Sequence, residues 1–127
     1  MQAPSNVVGW FEIYVADMGR AKRFYQAVLQ REMTDLPTVG SDMQMCAFAW
    51  VDQGAGAAGA LVKSAQMGPG TGGTMVYFTC EDCAIEAARV ATHGGTLCQD
   101  KMSIGEYGFI AIARDTEGNT FGLHSRT

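Results

Sequence analysis

The groups able to do chemistry in this chain are few, and their types narrow what that chemistry could be. It carries two histidines, His93 and His124, and four cysteines, Cys46, Cys80, Cys83 and Cys98. His93 stands directly before Gly94-Gly95, where a cation suits the end of a helix. That leaves one histidine per chain for ligation, so a histidine-rich metal site cannot form within one subunit. Cys80-Glu81-Asp82-Cys83 is a lone C-x-x-C. A structural zinc would need two more ligands, and Cys46 and Cys98 fall on different strands. Redox chemistry would want a thiol at a helix N-terminus, a place open to Cys83, but ordinary buried thiols are the expectation. Asp115 and Glu117 lie in a turn whose spacing fits no calcium loop, and Gly68–Gly73 lacks the Lys-Ser/Thr of a phosphate loop. Glu12, flanked by Trp10 and Tyr14, and His124, in the last apolar run, remain. A carboxylate beside an indole suits a general base; a carboxylate and an imidazole that satisfy their own hydrogen bonds suit a purely structural role.

The elements that position these groups follow from periodicity. Val7–Val15 is rich in β-branched and aromatic residues and reads as a strand. Its alternation puts Phe11, Ile13 and Val15 on one face and Trp10, Glu12 and Tyr14 on the other. Ala21, Phe24, Tyr25, Val28 and Leu29 recur at helical spacing behind Asp17, which suits the helix N-terminus. Strands follow over 31–36, 43–51 and 57–63, with turns at Pro37, Gly40 and Asp52-Gln53-Gly54. Gln66–Gly73 holds four glycines and a proline in eight residues and is a linker. The pattern then restarts: a strand over Met75–Cys80, a helix over Ala84–Thr92 behind Asp82 and ended by Gly94-Gly95, and strands near 96–101, 107–114 and 120–125. Asp115-Thr116-Glu117-Gly118-Asn119 forms the last hairpin turn. Superposing Asp17 on Asp82 aligns the two strand–turn–helix openings. One strand, one helix and three strands, twice over, is an α+β chain and a single domain over residues 1–127, with module one over about 7–63, a linker over 64–73 and module two over 74–125.

A chain of 127 residues with 47% hydrophobic and 17% charged residues can bury one core. The formal net charge is −4, and the densest basic cluster is Arg20, Lys22 and Arg23 on one helix. Nucleic acid and membrane are therefore not expected partners. Met1–Asn6 has neither a basic n-region nor a following apolar stretch, so the expectation is a cytoplasmic protein. Met43, Met45, Met67, Met75 and Met102 either fill the core or line an adaptable apolar cleft.

Trp10-Phe11-Glu12-Ile13-Tyr14-Val15-Ala16-Asp17 with Arg20-Ala21 and Phe24-Tyr25 is similar to the opening of glyoxalase/bleomycin-resistance (vicinal oxygen chelate) proteins. Ile104–Ala111, Asp115–Asn119 and Gly122-Leu123-His124 resemble a glyoxalase-like branch of that superfamily. The likeness runs from about residue 7 to 125. It implies two βαβββ modules in a curved eight-stranded sheet around a cleft, with the helices outside. Phe11, Ile13, Val15, Phe121 and Leu123 would face the helices; Trp10, Glu12, Tyr14, Met75, Tyr77, Gly122 and His124 would face the cleft.

Metal-dependent members place a His or Glu early in the first strand, in the fourth, early in the fifth and late in the eighth. Here those places fall on Trp10, on a Gly54–Val62 stretch with no Asp, Glu or His, on Met75 and on Gly122. Indole, thioether and glycine do not bind such ions at useful strength. Glu12 and His124 stand two residues further along the same faces, and Tyr77 is the repeat partner of Glu12.

The resemblance thus implies a protein that binds a small apolar or aromatic molecule without the usual metal or any other cofactor. Glu12, His124 and Tyr77 are then the candidate acid/base or ligand-orienting groups, and Trp10, Tyr14, Met75, Tyr107 and Phe109 the candidate ligand contacts. One alternative is a lactoylglutathione-lyase-related lyase or isomerase, or a dioxygenase, holding a divalent ion at a displaced Glu12/His124 site. Another is a non-catalytic sequestering or scaffold protein. A homodimer is the assembly the resemblance implies.

Overall fold

The computed structural model describes residues 6–38 and 42–127, so the turn expected at Gly40 and residues 1–5 lie outside the described residues. Contacts group the chain into two compact units, Trp10–Thr74 and a second that joins the residues up to Gly9 to Met75–Thr127. Each repeats the same plan of strand, helix and three strands, which makes the fold α+β with two βαβββ modules, as the order of elements predicts.

In the first module β1 (Val8–Tyr14) is followed by α1 (Met18–Leu29), β2 (Met33–Leu36), β3 (Met43–Phe48) and β4 (Ala58–Ser64). The helix starts where Asp17 accepts the Arg20 N–H at 3.0 Å, satisfying one of the donors that every helix N-terminus leaves open. The crossover makes β1 and β4 parallel neighbours, with Trp10 beside Ala58, Glu12 beside Ala60 and Tyr14 beside Val62. β3 pairs antiparallel with β4 and β2 with β3, for an order β2-β3-β4-β1.

Alternation then sends Ile13, Val15, Leu61, Cys46, Phe48 and Met33 to the face under α1, where they pack with Met18, Ala21 and Tyr25. The apolar stripe of α1 is narrower than its spacing suggests. Phe24, Val28 and Leu29 are exposed, and Phe24 rests edge-on against Tyr25 with ring centroids 5.1 Å apart. The third strand also ends earlier than expected. Ala49 onward leaves the sheet for a turn closed by the Gly54 N–H on the Val51 carbonyl at 2.9 Å, which leaves Trp50 and Val51 exposed.

In the second module the elements are β5 (Thr74–Thr79), α2 (Cys83–Val90), β6 (Thr96–Ser103), β7 (Phe109–Arg114) and β8 (Thr120–Ser125). β5 and β8 are the parallel pair, and the order is β5-β8-β7-β6. Asp82 caps α2 by accepting the Ala84 N–H at 3.0 Å, and Gly94 ends the helical segment at φ +97°. Cys83, Ala87, Ala111 and Leu123 form the core beneath α2, with Phe78, Leu97, Phe109 and Phe121 around them. Residues 105–107, expected as the lead into a strand, instead make a 3₁₀ turn before β7. No helix among the described residues is long and apolar enough to cross a membrane.

Leu61 is fully enclosed in the first module's core. Leu61→Ala is expected to lower stability by about 2–5 kcal/mol, the range for a large-to-small change in a packed core. Urea denaturation of the variant checks this, and a loss well under 1 kcal/mol would mean that the α1 side is not the packed core described here.

Candidate functional site

The face of each module turned away from its helix carries the candidate groups. In the first module that face bears Trp10, Glu12 and Tyr14 on β1, Ala58, Ala60 and Val62 beside them on β4, and Met45 and Ala47 on β3. The Glu12 carboxylate is fixed by its own strand. Its Oε2 accepts the Trp10 indole N–H at 3.3 Å, and its Oε1 accepts the Tyr14 hydroxyl at 2.9 Å. Two donors at positions i−2 and i+2 reach one carboxylate only because a strand puts all three on one face. The surrounding residues are Ala, Val and Met, so Glu12 is the charged anchor of an otherwise apolar surface. Trp10, Tyr14 and Glu12, all expected on one face, are there.

In the second module the corresponding face bears Met75 and Tyr77 on β5, Gly122 and His124 on β8, and Ile110 and Ile112 on β7. Tyr77 and Gly122 are register neighbours, and a Cβ on Gly122 would fall inside the Tyr77 ring, so the glycine is what lets the ring lie against the sheet. His124 Nε2 lies 2.6 Å from the Tyr107 carbonyl oxygen. A carbonyl can only accept, so Nε2 carries a proton and donates it to that oxygen.

Tyr107 therefore contributes its backbone to the site, while its side chain is exposed. The 3₁₀ turn that presents this carbonyl is closed by the Gly108 N–H on Gly105 O at 3.1 Å and flanked by the Ile104 N–H on Gly108 O at 2.8 Å. Gly108, at φ +107°, sits so close to Ser125 O that no side chain fits there. Phe109, expected near the rim, packs instead in the core under α2, with Lys101 Nζ 4.7 Å from its ring centroid. It alternates with Ile110 on β7 and so points to the helix side. Glu12 thus belongs to one unit, and Tyr77 and His124 share a face of the other.

No sequence signal marks the small residues on β4, or Ile110 and Ile112, as part of these faces; the pairing register assigns them. The glycine-rich linker is more than a spacer, since its Gly73 carbonyl accepts the Tyr14 N–H at 2.8 Å.

The C-x-x-C thiols are structural. Cys83 is fully buried, with its N–H on Ser125 Oγ at 3.0 Å. Burial, with Glu86 beside it, pushes the Cys80 thiol up to about 11.

The profile of the Glyoxalase/Bleomycin resistance protein/Dioxygenase superfamily matches residues 7–123. Methylmalonyl-CoA epimerase from Mycobacterium tuberculosis superposes with a TM-score of 0.70 at 17% identity, over 100% of this chain and 93% of that one. A Streptomyces coelicolor methylmalonyl-CoA epimerase in complex with 2-nitronate-propionyl-CoA gives 0.70 at 18% identity, over 95% and 97%. At these identities the likeness is one of fold. TnmS3, an antibiotic binding protein from Streptomyces, is 25% identical over 100% of both chains, but its TM-score of 0.41 is too low to bear on function here. No curated protein sequence matches the chain.

The divalent ion of the metal-dependent relatives does not fit these residues. Trp10 and Met75 offer no oxygen or imidazole donor, β4 has no Asp, Glu or His, and the Gly122 place is closed by the Tyr77 ring. A displaced site fares no better. Both Glu12 oxygens accept bonds from β1, His124 Nε2 is held by a carbonyl, and no group of three His, Cys, Asp or Glu among the described residues could hold an ion.

Two outcomes check this account. Gly122→Ala is expected to lower the melting temperature, whereas in a Tyr77→Ala background the same change should be nearly neutral; additive effects in the double-mutant cycle would refute the packing of ring on glycine. Because Cys80 is protonated until about pH 11, roughly one part in a thousand is thiolate at pH 8. Iodoacetamide at that pH should label exposed Cys98 long before Cys80, read by peptide mass spectrometry, and equal rates would overturn the buried-thiol reading.

Proposed function

For a chain that belongs to the Glyoxalase/Bleomycin resistance protein/Dioxygenase superfamily, we propose that this protein binds a small apolar or aromatic molecule without a metal ion. The observation that carries this reading is the Glu12 carboxylate, set in one orientation by Trp10 and Tyr14 on a face of Ala, Val and Met side chains. Apolar walls with a few placed polar groups are what small-molecule sites are made of. The apolar face supplies the burial that drives binding. Glu12 orients the ligand by accepting from a hydroxyl or amine on it, and Trp10 and Met45 are the surfaces against which it packs.

A second, catalytic reading rests on His124. With Nε2–H held by the Tyr107 carbonyl, the ring is oriented, and Nδ1 is the nitrogen that would serve as the general base. Tyr77 and Met75 then flank the reacting group on the same face. The chemistry would be proton transfer within a bound molecule, of lyase or isomerase type, using this chain's own groups and no ion.

Binding is tested by a thermal-shift and native mass spectrometry screen of apolar and aromatic compounds on the full chain, with and without EDTA. A hit that EDTA leaves unchanged, that weakens about tenfold or more in Glu12→Gln and that leaves the melting temperature intact supports the ligand reading. A hit that needs added divalent metal overturns it. His124→Ala separates the two readings: turnover lost with binding retained assigns His124 to catalysis.

A further inference from the structure

A second place in the Trp10–Thr74 unit has the form of a binding site, bordered by Tyr14 but not lined by Glu12. It is a cavity of about 330 Å³ where β1 runs into α1, within the range of small-molecule pockets. Ile13, Val15, Ala21 and Tyr25 give it one apolar wall, and Pro69, Gly70 and Gly73 of the linker form the facing wall.

That second wall is held in place. Gly73 O accepts the Tyr14 N–H and the Gly73 N–H bonds Gly70 O, both at 2.8 Å. Gly73 is buried, and a Cβ there would meet the Gly70 backbone at 2.9 Å. The fold back of the linker therefore depends on glycine at this position, and the cavity depends on that fold back.

The polar groups at the cavity are unequal in charge. Asp17 lines it, but its carboxylate is committed to the Arg20 N–H. Arg20, Arg23 and Lys63 all lie close enough to Asp17 to favour its charged form. Of these three cations Arg20 lines the cavity itself, in a chain of net charge −4. Its guanidinium makes no hydrogen bond or ion pair with a described residue. The backbone donors of the first helical turn are not what would bind an anion here: the Arg20 and Ala21 N–H groups are both taken by Asp17. An anion would be held by the guanidinium side chain, which presents two parallel donors to a carboxylate.

We propose that this cavity is a binding site for a small organic carboxylate, its charge on Arg20 and its apolar body against Ile13, Val15, Ala21 and Tyr25. Thr74, which also lines the cavity, adds a hydroxyl donor. The site shares Tyr14 with the Glu12 face, but it is tested through Arg20 and Ala21, which the function proposed above does not use.

The test is an amide NMR titration of the full chain with benzoate, using neutral benzamide as the matched control. Saturable shifts at Arg20, Ala21, Gly70 and Gly73 are expected with benzoate, with benzamide weaker. Arg20→Gln, at an exposed position that leaves folding intact, is expected to reduce benzoate affinity about tenfold or more, the loss that follows from removing a charge-assisted bond. Ala21→Leu, which fills the cavity from α1, should abolish the shifts. Shifts that do not saturate, equal affinity for benzamide, or unchanged affinity in Arg20→Gln would each overturn the proposal.

Discussion

The parallel pairing of the first and last strand of each module decides which side chains become neighbours, and most of what these surfaces can do follows from it. A crossover helix between β1 and the rest of its module returns the chain so that β4 lies beside β1 in the same direction. Residues at equal height then point to the same face. The helix claims one face for the core, through Leu61 in one module and Leu123 in the other. Everything on the alternate positions is left for the opposite face, whatever its chemistry. Glu12 is on that face because Phe11 and Ile13 must be under α1. A shift of one residue in register would bury the carboxylate in the core and expose the apolar side chains.

Once Glu12 is placed there, its surroundings have to satisfy it. A carboxylate against Ala58, Ala60 and Val62 has lost part of its hydration, and a partly buried charge needs hydrogen bonds to persist. The donors come from the same strand, at the only two positions that share its face within reach. This local solution orients the carboxylate through donors of its own strand. The same bonds compete with a metal ion for the two oxygens, so Glu12 as held here is a poor metal ligand.

The fold was legible because both of its signals are periodic. Alternation at Trp10–Val15 and helical spacing behind Asp17 and behind Asp82 survive in the structure with the caps where those aspartates stand. Two boundaries were not legible. Val51 continues the apolar run of β3 but lies in a turn, because periodicity does not register where a partner strand ends. Tyr107 reads as a strand residue but sits in a 3₁₀ turn set by two glycines of positive φ, Gly105 and Gly108. That turn is also why Tyr107 serves through its carbonyl and why Phe109 faces the core. Of the candidate site, the residues of β1, β5 and β8 could be placed on their faces from alternation alone. Their hydrogen-bond partners could not, since these depend on a rotamer at Glu12 and on a loop conformation opposite His124. The Arg20 cavity was invisible for a different reason: one of its walls is a glycine-rich segment whose course is set by Tyr14 and Gly73, two backbone groups that no side-chain pattern reports.

The two modules also explain each other. Setting Asp17 on Asp82 makes Glu12 the counterpart of Tyr77, and the register pairs Glu12 with Ala60 and Tyr77 with Gly122. The smaller side chain stands beside the residue with a methyl group, and the larger ring beside the residue with none. Close packing requires this kind of compensation between neighbours on a sheet, since a methyl group at 122 would occupy the space of the ring. A carboxylate donor at 122 is therefore excluded by its neighbour on β5 and not merely missing from β8. The loss of that ligand place and the presence of an aromatic wall are one event seen from two strands.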